Sequence, residues 1–167
     1  GLPAAADRLQ EFTHLDGLEV VEPDLVAAGD AELAIRVMLR PGLELIHRRV
    51  LGQGGMGVVY LVLDPRLGRR AALKLLRTPV TPTRVRRFRR ETVVTSRLDH
   101  PCMPPVYEAG TTPLGTHYLL MRYVAGQSLM EILRERAEAT TPSRREKERQ
   151  TRELLHALVK VGEAVAY

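Results

Sequence analysis

The sequence predicts an α+β fold in which a five-stranded antiparallel sheet carries one inserted helix and is followed by further helices. Five segments have the alternation or the β-branched content of strands, and turn clusters separate the first three of them. A helical segment follows the third strand, and more helical segments follow the fifth. Together these patterns indicate an antiparallel meander with a glycine-rich hairpin at its first corner. The predicted strands are Leu43–Leu51, Val58–Leu63, Arg70–Leu76, Val106–Thr111 and His117–Val124.

Composition and charge are those of a globular domain with a basic surface. The chain has 167 residues, of which 44% are hydrophobic and 27% are charged, enough for one domain with its own core. The net charge of +5 raises the alternative of a nucleic-acid-binding domain, but the absence of tryptophan and the 4% aromatic content argue against a stacking platform. We interpret the two arginine clusters as solvated helix faces and predict no nucleic-acid partner. The clusters are Arg84, Arg86, Arg87, Arg89 and Arg90, and Arg144, Arg145 and Arg149.

Cysteine, histidine and hydropathy patterns exclude several classes of protein. The single cysteine, Cys102, cannot form an internal disulfide, which fits a reducing compartment. No apolar run approaches the roughly 18 residues typical of a membrane span. The five histidines show no metal-ligand spacing. We therefore expect a cytoplasmic location, no membrane span and no metal ligand in this chain.

The lead-in, residues 1–42, gives mixed signals. Asp30 is a suitable cap for a helix over Ala31–Arg40, which Pro41-Gly42 would end. The apolar residues of the same segment also alternate as in a strand, so both types remain open. That alternation involves Leu33, Ile35, Val37 and Leu39.

Three helices are predicted by their caps and apolar faces. Thr81-Pro82 should begin a helix that runs to Leu98, and Ser128 forms a capping box with Glu131. A polar stretch over Ala137–Gln150 separates the second helix from the last one. The last helix has one apolar side, formed by Leu154, Leu155, Leu158, Val161 and Val165.

The segment Gly52–Gly57 has the spacing G-x-G-x-x-G and is followed by Val58-Val59-Tyr60. Glycines allow backbone N–H groups to approach phosphate oxygens without side-chain clashes. Dinucleotide-binding folds use the same spacing, but there the glycines lie between a strand and a helix. Here they lie between two predicted strands, and four glycines exceed what a merely flexible hairpin needs. The segment is therefore interpreted as a phosphate-binding loop.

Lys74 and Glu91 are the candidate charged partners of that loop. Lys74 lies between Leu73 and Leu75 on the third predicted strand, so its side chain should point to the face opposite the leucines. The alternative is an exposed lysine on the sheet surface. Glu91 shares a helix face with Phe88 and is expected to point inward and pair with Lys74. Its alternative is a surface pair with Arg87.

With these motifs in order, residues Leu43–Tyr167 resemble the small lobe of a protein kinase, extended into the first large-lobe helix. The sequence of Gly54–Tyr60 is especially similar to bacterial serine/threonine kinases of the eukaryotic-like type. Phe88-Arg89-Arg90-Glu91 and Leu98-Asp99-His100-Pro101 also match that family. The resemblance divides the chain into a lead-in (residues 1–42), a small lobe with one regulatory helix (residues 43–126) and helices that begin a large lobe (residues 127–167).

The resemblance implies an ATP site with Mg²⁺, whose metal ligands lie outside this chain. Lys74 would bind the phosphates and Glu91 would hold Lys74 in place. Arg122 stands where related kinases often carry glutamate, but the adenine bonds would come from the backbone. The phosphate loop would comprise Gly52, Gln53, Gly54, Gly55, Met56 and Gly57. The residues in contact with adenine would be Leu51, Val59 and Ala72, and the gatekeeper would be Met121. The hinge would comprise Arg122, Tyr123 and Val124.

The sequence contains no H-R-D or D-F-G motif, the family's source of the acceptor-positioning and metal-binding residues. We therefore expect a kinase whose protein substrate is bound through the large lobe that this chain lacks, and no phosphate transfer by the chain alone. The alternative is a truncated kinase-like regulatory or protein-interaction module. In related kinases the last helix is buried in the large lobe. Its apolar side should therefore be covered by a second copy, as a homodimer or larger assembly, or by the lead-in around Leu33–Leu39.

Overall fold

The structure is a computed structural model and describes residues 18–21, 35–138 and 143–166. The helices are α1 (Pro82–Arg97), α2 (Leu129–Glu138) and α3 (Arg144–Ala166). The strands are β1 (Glu19–Val21), β2 (Ile35–Arg40), β3 (Leu43–Gln53), β4 (Gly57–Asp64), β5 (Arg69–Leu76), β6 (Val106–Thr111) and β7 (His117–Arg122). They form one antiparallel sheet in the order β1-β2-β3-β4-β5-β7-β6. The predicted α+β class is confirmed.

The sheet is wider than the sequence predicted. Strands β3 to β7 are the five expected strands, and β1 and β2 come from the lead-in. Of the two alternatives for Ala31–Arg40, the strand is correct over Ile35–Arg40, and the proposed cap Asp30 lies outside the described residues. The strand forms because the turn at Gly42, whose φ is +78°, returns the chain so that β2 pairs with β3. This pairing buries one alternate set of β2 side chains.

The sheet has two apolar faces. One face forms the main core, and its buried side chains come from the lead-in as well as from β3 to β7. Helix α1 packs on the opposite face, where Phe88 contacts Leu76 and Leu119. The main core comprises Leu18, Val37, Leu39, Leu43, Leu45, Val58, Tyr60, Val62, Ala71, Leu73, Leu75, Tyr118 and Leu120.

The sheet is curled enough to join strands that are not neighbours in it. Arg40 on β2 forms two hydrogen bonds to Glu108 on β6, at 2.6 and 3.1 Å, although four strands separate β2 from β6. The Tyr118 hydroxyl donates to the same carboxylate at 2.6 Å. The Arg40 bond is the main cause that lowers the pKa of Glu108, whereas burial, followed by the bond to Glu108, raises the pKa of Tyr118 to about 12. Arg40, Glu108 and Tyr118 therefore form a clasp between the lead-in and the far edge of the sheet.

Both helix caps that the sequence predicts are formed, whereas the last helix begins earlier than predicted. Thr81 accepts a hydrogen bond from the N–H of Arg84 at 3.3 Å, and the capping box of Ser128 and Glu131 is formed in both directions. Helix α3 begins at Arg144, so much of the polar stretch predicted as a separator is helical instead. Ion pairs between residues three and four apart, such as Arg144 and Glu148, stabilise the first turns of this helix.

The chain divides into two compact units. The first comprises Gly1–Ser96 and Pro105–Tyr123 and contains the sheet with almost all of α1; the second comprises Arg97–Pro104 and Val124–Tyr167 and contains α2 and α3. In the part of the chain that the structure describes, no helix combines the length and the apolar character that crossing a membrane requires. Within the same described ranges, no three His, Cys, Asp or Glu side chains are grouped closely enough to hold a metal ion.

Candidate functional site

The glycine segment forms the tight hairpin between β3 and β4. The N–H of Gly54 donates to the carbonyl oxygen of Gly57 at 2.9 Å, which closes the hairpin on itself. A second backbone bond holds its tip, since the N–H of Arg77 donates to the carbonyl oxygen of Met56 at 3.2 Å. The hairpin therefore lies at the end of the sheet where β5 leads into α1.

The fold requires glycine at one position of the hairpin and not at the other three. A Cβ atom on Gly57 would lie 2.2 Å from the carbonyl oxygen of Leu75, so the strand pairing itself requires glycine there. A Cβ atom on Gly52, Gly54 or Gly55 would meet nothing within 4 Å, and none of the three has a positive φ. The fold thus leaves room for side chains at these three positions, so the packing of the hairpin itself does not require glycine there.

Lys74 lies in the same cross-strand row as the hairpin. On β5 it pairs with Val59 of β4, and Val59 in turn pairs with Gly52. Its side chain points to the α1 face of the sheet, whereas Leu73 and Leu75 point into the main core. The predicted alternation of this strand is therefore what the structure shows. Because the side chain is 16% exposed, most of its surface is packed, which differs from an exposed sheet lysine.

Glu91 on α1 meets Lys74. The Lys74 ammonium donates a hydrogen bond to Glu91 Oε1, and the two groups form an ion pair. Phe88 supports the pair from the preceding turn of α1, because the ammonium lies 5.9 Å from the centre of its ring. Between these described residues, the alternative pair of Glu91 with Arg87 is not formed. The result is a cation fixed in direction by a carboxylate and an aromatic ring.

Several predicted adenine contacts share the face of the sheet that carries Lys74. Ala72 lies two residues before Lys74 on β5, and its cross-strand neighbour on β7 is Met121. Val59 faces the same side because it pairs directly with Lys74. Val59 and Met121 are half-buried, so this apolar surface is only partly covered within the described residues.

The other predicted contacts are Leu51 on β3 and the hinge residues Arg122, Tyr123 and Val124. Leu51 lies in an irregular part of β3, next to a register shift between Val50 and Gly52. At the predicted hinge, the N–H of Arg122 donates to the carbonyl oxygen of Pro105 at 3.0 Å and is therefore already used. Tyr123 ends the first compact unit and Val124 belongs to the second.

One side chain at the site was missed by the sequence analysis. Arg84 was grouped with the solvated arginines of α1, but its guanidinium donates to the carbonyl oxygen of Gly55 at 2.7 Å and to that of Pro79 at 3.0 Å. A signal was available, because Arg84 and Glu91 are seven residues apart and therefore share one helix face. The expectation of a solvated face remains correct for Arg86, Arg87, Arg89 and Arg90, which are exposed.

The chain matches a known protein family over most of its length. The family model of the protein kinase domain matches residues 45–167, well over half of the chain. The chain belongs to the protein kinase domain family. The matched region begins in β3, so the two lead-in strands lie outside it.

The relatives are bacterial serine/threonine kinases. A probable serine/threonine-protein kinase of Streptomyces coelicolor is 42% identical over 89 residues, which cover 50% of this chain and 13% of the relative. PrkC of Bacillus subtilis is 41% identical over 51% of this chain and 13% of PrkC. PknA of Mycobacterium tuberculosis is 37% identical over 52% of this chain and 22% of PknA. The chain thus corresponds to less than a quarter of each of these relatives.

Solved structures agree with this assignment. The crystal structure of the M. tuberculosis PknI kinase domain is 31% identical and superposes with a TM-score of 0.54. The similarity covers 72% of this chain and 45% of the PknI chain. The chain therefore spans about half the length of a solved kinase domain.

Proposed function

We propose that this chain is the ATP-binding lobe of a kinase that transfers the γ-phosphate of ATP to serine or threonine of protein substrates. The observation that carries the proposal is the Lys74–Glu91 ion pair, which lies in the same cross-strand row as the glycine hairpin. A fixed ammonium beside an exposed glycine hairpin suits the binding of a polyphosphate. A module that only binds proteins has no chemical need for both.

The nucleotide would be held by groups with separate tasks. Lys74 would bind the phosphates, with Glu91 as the group that orients it, and the hairpin Gly52–Gly57 would cover them. Val59, Ala72 and Met121 offer an apolar surface to adenine, together with Leu51 and the backbone of Arg122–Val124. The Arg122 carbonyl oxygen would have to serve there, because its N–H is committed to Pro105.

Mg²⁺ would reach the site with ATP, and its chemistry there is to neutralise phosphate charge. None of the described residues near Lys74 is proposed as its ligand, since Glu91 is occupied by the ammonium. In the protein kinases that this chain resembles, the metal ligands belong to the large lobe. We propose that residues 43–126 form the nucleotide-binding lobe, extended by the lead-in strands β1 and β2, and that residues 127–167 begin the lobe that binds the protein substrate.

The test of ATP binding is the substitution Lys74→Met. Methionine keeps the packed stem but removes the charge, so we expect ATP affinity to fall roughly 10- to 100-fold, which is the value of one hydrogen bond between charged groups. The matched control is Lys147→Met, since Lys147 is an exposed lysine on α3. Calorimetric titration of the chain with ATP measures both. Equal affinity in the wild type and Lys74→Met would overturn the assignment.

The chain by itself is proposed to bind ATP weakly and not to transfer phosphate. The sequence has neither the H-R-D nor the D-F-G motif, so no group of this chain positions the acceptor hydroxyl or the metal. Incubation with radiolabelled ATP and a generic protein substrate should give no labelled product. In a protein that joins this chain to a catalytic loop, Lys74→Met should abolish transfer. Transfer that is absent with and without Lys74, despite ATP binding, would favour the alternative of a regulatory module.

A further inference from the structure

We propose that Arg84 is a positioning residue that ties the tip of the glycine hairpin to helix α1, so that hairpin placement and the Lys74–Glu91 pair are coupled. The contact between Arg84 and the hairpin stands on geometry alone. Its consequence for ATP rests on the proposed function.

The Arg84 guanidinium bridges two chain segments. One arm donates to the carbonyl oxygen of Gly55 at the hairpin tip, at 2.7 Å, and the other to that of Pro79 before α1, at 3.0 Å. The planar, forked arrangement of its N–H groups allows arginine to bind two acceptors at once. A lysine ammonium of similar reach has no such fixed fork. The residue type therefore fits a bridge between the hairpin and the start of the helix.

The same helix face reaches two parts of the site. Arg84 and Glu91 are seven residues apart, close to two helical turns, so their side chains leave α1 in nearly the same direction. Arg84 holds the hairpin tip, while Glu91 holds Lys74. A displacement of α1 that breaks one contact must therefore strain the other. This arrangement makes α1 a rigid link between the two groups that would bind phosphate.

The bond to Gly55 also fixes the orientation of a peptide group. Because a peptide bond is planar and trans, its carbonyl oxygen and the next N–H point in opposite directions. With the Gly55 carbonyl held toward Arg84, the Met56 N–H is turned to the other side of the hairpin. The carbonyl of Met56 is held in turn by the N–H of Arg77 at 3.2 Å. Arg84 thus contributes to presetting the backbone donors of the loop.

The first experiment measures the contact without nucleotide. Amide hydrogen exchange over Gln53–Val58 is compared between the wild type, Arg84→Ala and Arg84→Lys, with Arg86→Ala as the matched control from the exposed side of α1. Loss of the bridge should speed hairpin exchange roughly 3- to 10-fold in Arg84→Ala and less in Arg84→Lys, with no change in Arg86→Ala. Unchanged hairpin exchange in Arg84→Ala would overturn the proposal. If Arg84→Ala does not fold, the Arg84→Lys comparison decides the question in the same way.

The second experiment tests the coupling. ATP affinity is measured for Arg84→Ala, Glu91→Gln and the double variant. If α1 links the two contacts, the double variant should lose at least threefold less affinity than the product of the single losses. Multiplicative losses would reduce Arg84 to an independent structural contact and contradict the coupling. If the wild type does not bind ATP, the proposed function fails, whereas the exchange experiment still decides the Arg84 contact.

Discussion

Gly57 differs from the other hairpin glycines because the fold itself requires it. Its missing side chain makes room for the carbonyl oxygen of Leu75, which would lie 2.2 Å from a Cβ atom. The obstacle is backbone on a central strand, so it cannot rotate away as a flexible side chain could. At Gly55, in contrast, a Cβ atom would meet nothing within 4 Å.

This contrast predicts different effects for two alanine substitutions. Gly57→Ala should lower the free energy of unfolding by about 1–3 kcal/mol, since the strand pairing must shift to admit the methyl group. Gly55→Ala should leave stability close to that of the wild type and, on the proposed function, weaken ATP binding instead. Urea unfolding measures the first effect and calorimetry the second. Equal stability of the two variants would contradict the close approach at Gly57.

At the scale of elements, the clasp of Arg40, Glu108 and Tyr118 joins the lead-in to the far edge of the sheet. Among the described strands, the backbone of β2 pairs with β1 and β3, and the Arg40–Glu108 contact joins β2 to β6 as well. Val37 and Leu39 of the same strand are fully buried in the main core. The described strands of the lead-in, β1 and β2, are therefore part of the folded sheet.

The clasp predicts a pH dependence of stability. The pKa of Glu108 is lowered in the folded state, chiefly by the Arg40 hydrogen bond, so the folded state binds fewer protons at this site than the unfolded state. The stabilisation is then present above the unfolded pKa, near 4.5, and is lost as the pH falls through the folded pKa. Glu108→Gln should lower the melting temperature at pH 7. On acidification, the melting temperature of this variant should fall less than that of the wild type.

Glu44→Gln is the control for this prediction. Glu44 also pairs with an arginine, Arg36, but at 3.8 Å, and its side chain is 43% exposed. Such a pair contributes little, so this variant should follow the wild-type melting curve at each pH. Glu108→Gln and Glu44→Gln with identical acid profiles would show that the clasp does not stabilise the sheet.

At the scale of the whole molecule, the apolar side of α3 stands out. Leu155, Leu158, Val161 and Val165 are each more than half exposed, and only Ala164 of this helix is buried. Each such side chain left in water forgoes about 1.5–3 kcal/mol of burial. The suggested cover by Leu33–Leu39 is wrong for Val37 and Leu39, because both lie in the core of the sheet; Leu33 lies outside the described residues.

We propose that, when this chain is isolated, a second copy covers the apolar side of α3. A symmetric contact would bury the apolar sides of both copies at once. Multi-angle light scattering at micromolar concentration should report a dimer or larger species. Leu158→Glu should shift the mass toward the monomer because it places a charge within that contact. Arg152→Glu, on another side of the same helix, is the control and should keep the wild-type mass. A monomeric wild type would rule out this association.

Features that depend on the local order of residues could be predicted from the sequence alone. The spacing of Gly52 to Gly57 between two strands, the alternation around Lys74 and the caps at Thr81 and Ser128 each involve neighbours in the chain. Strand period and cap chemistry act within a few residues, so they can be predicted without knowledge of the fold. These features were enough to predict the five strands of the kinase small lobe and the residues of the candidate nucleotide site.

Features that depend on partners far away in the sequence are set by the packing of the folded chain. Ile35–Arg40 satisfied a helical and a strand pattern equally, and only pairing with β3 and burial in the core selected the strand. Arg84 resembled its neighbouring surface arginines until α1 docked beside the hairpin and brought the Gly55 carbonyl within reach. The Arg40–Glu108 clasp joins residues 68 positions apart and exists only because the sheet curls. Contacts of this kind are set by the packing of the whole sheet, which no local pattern in the sequence records.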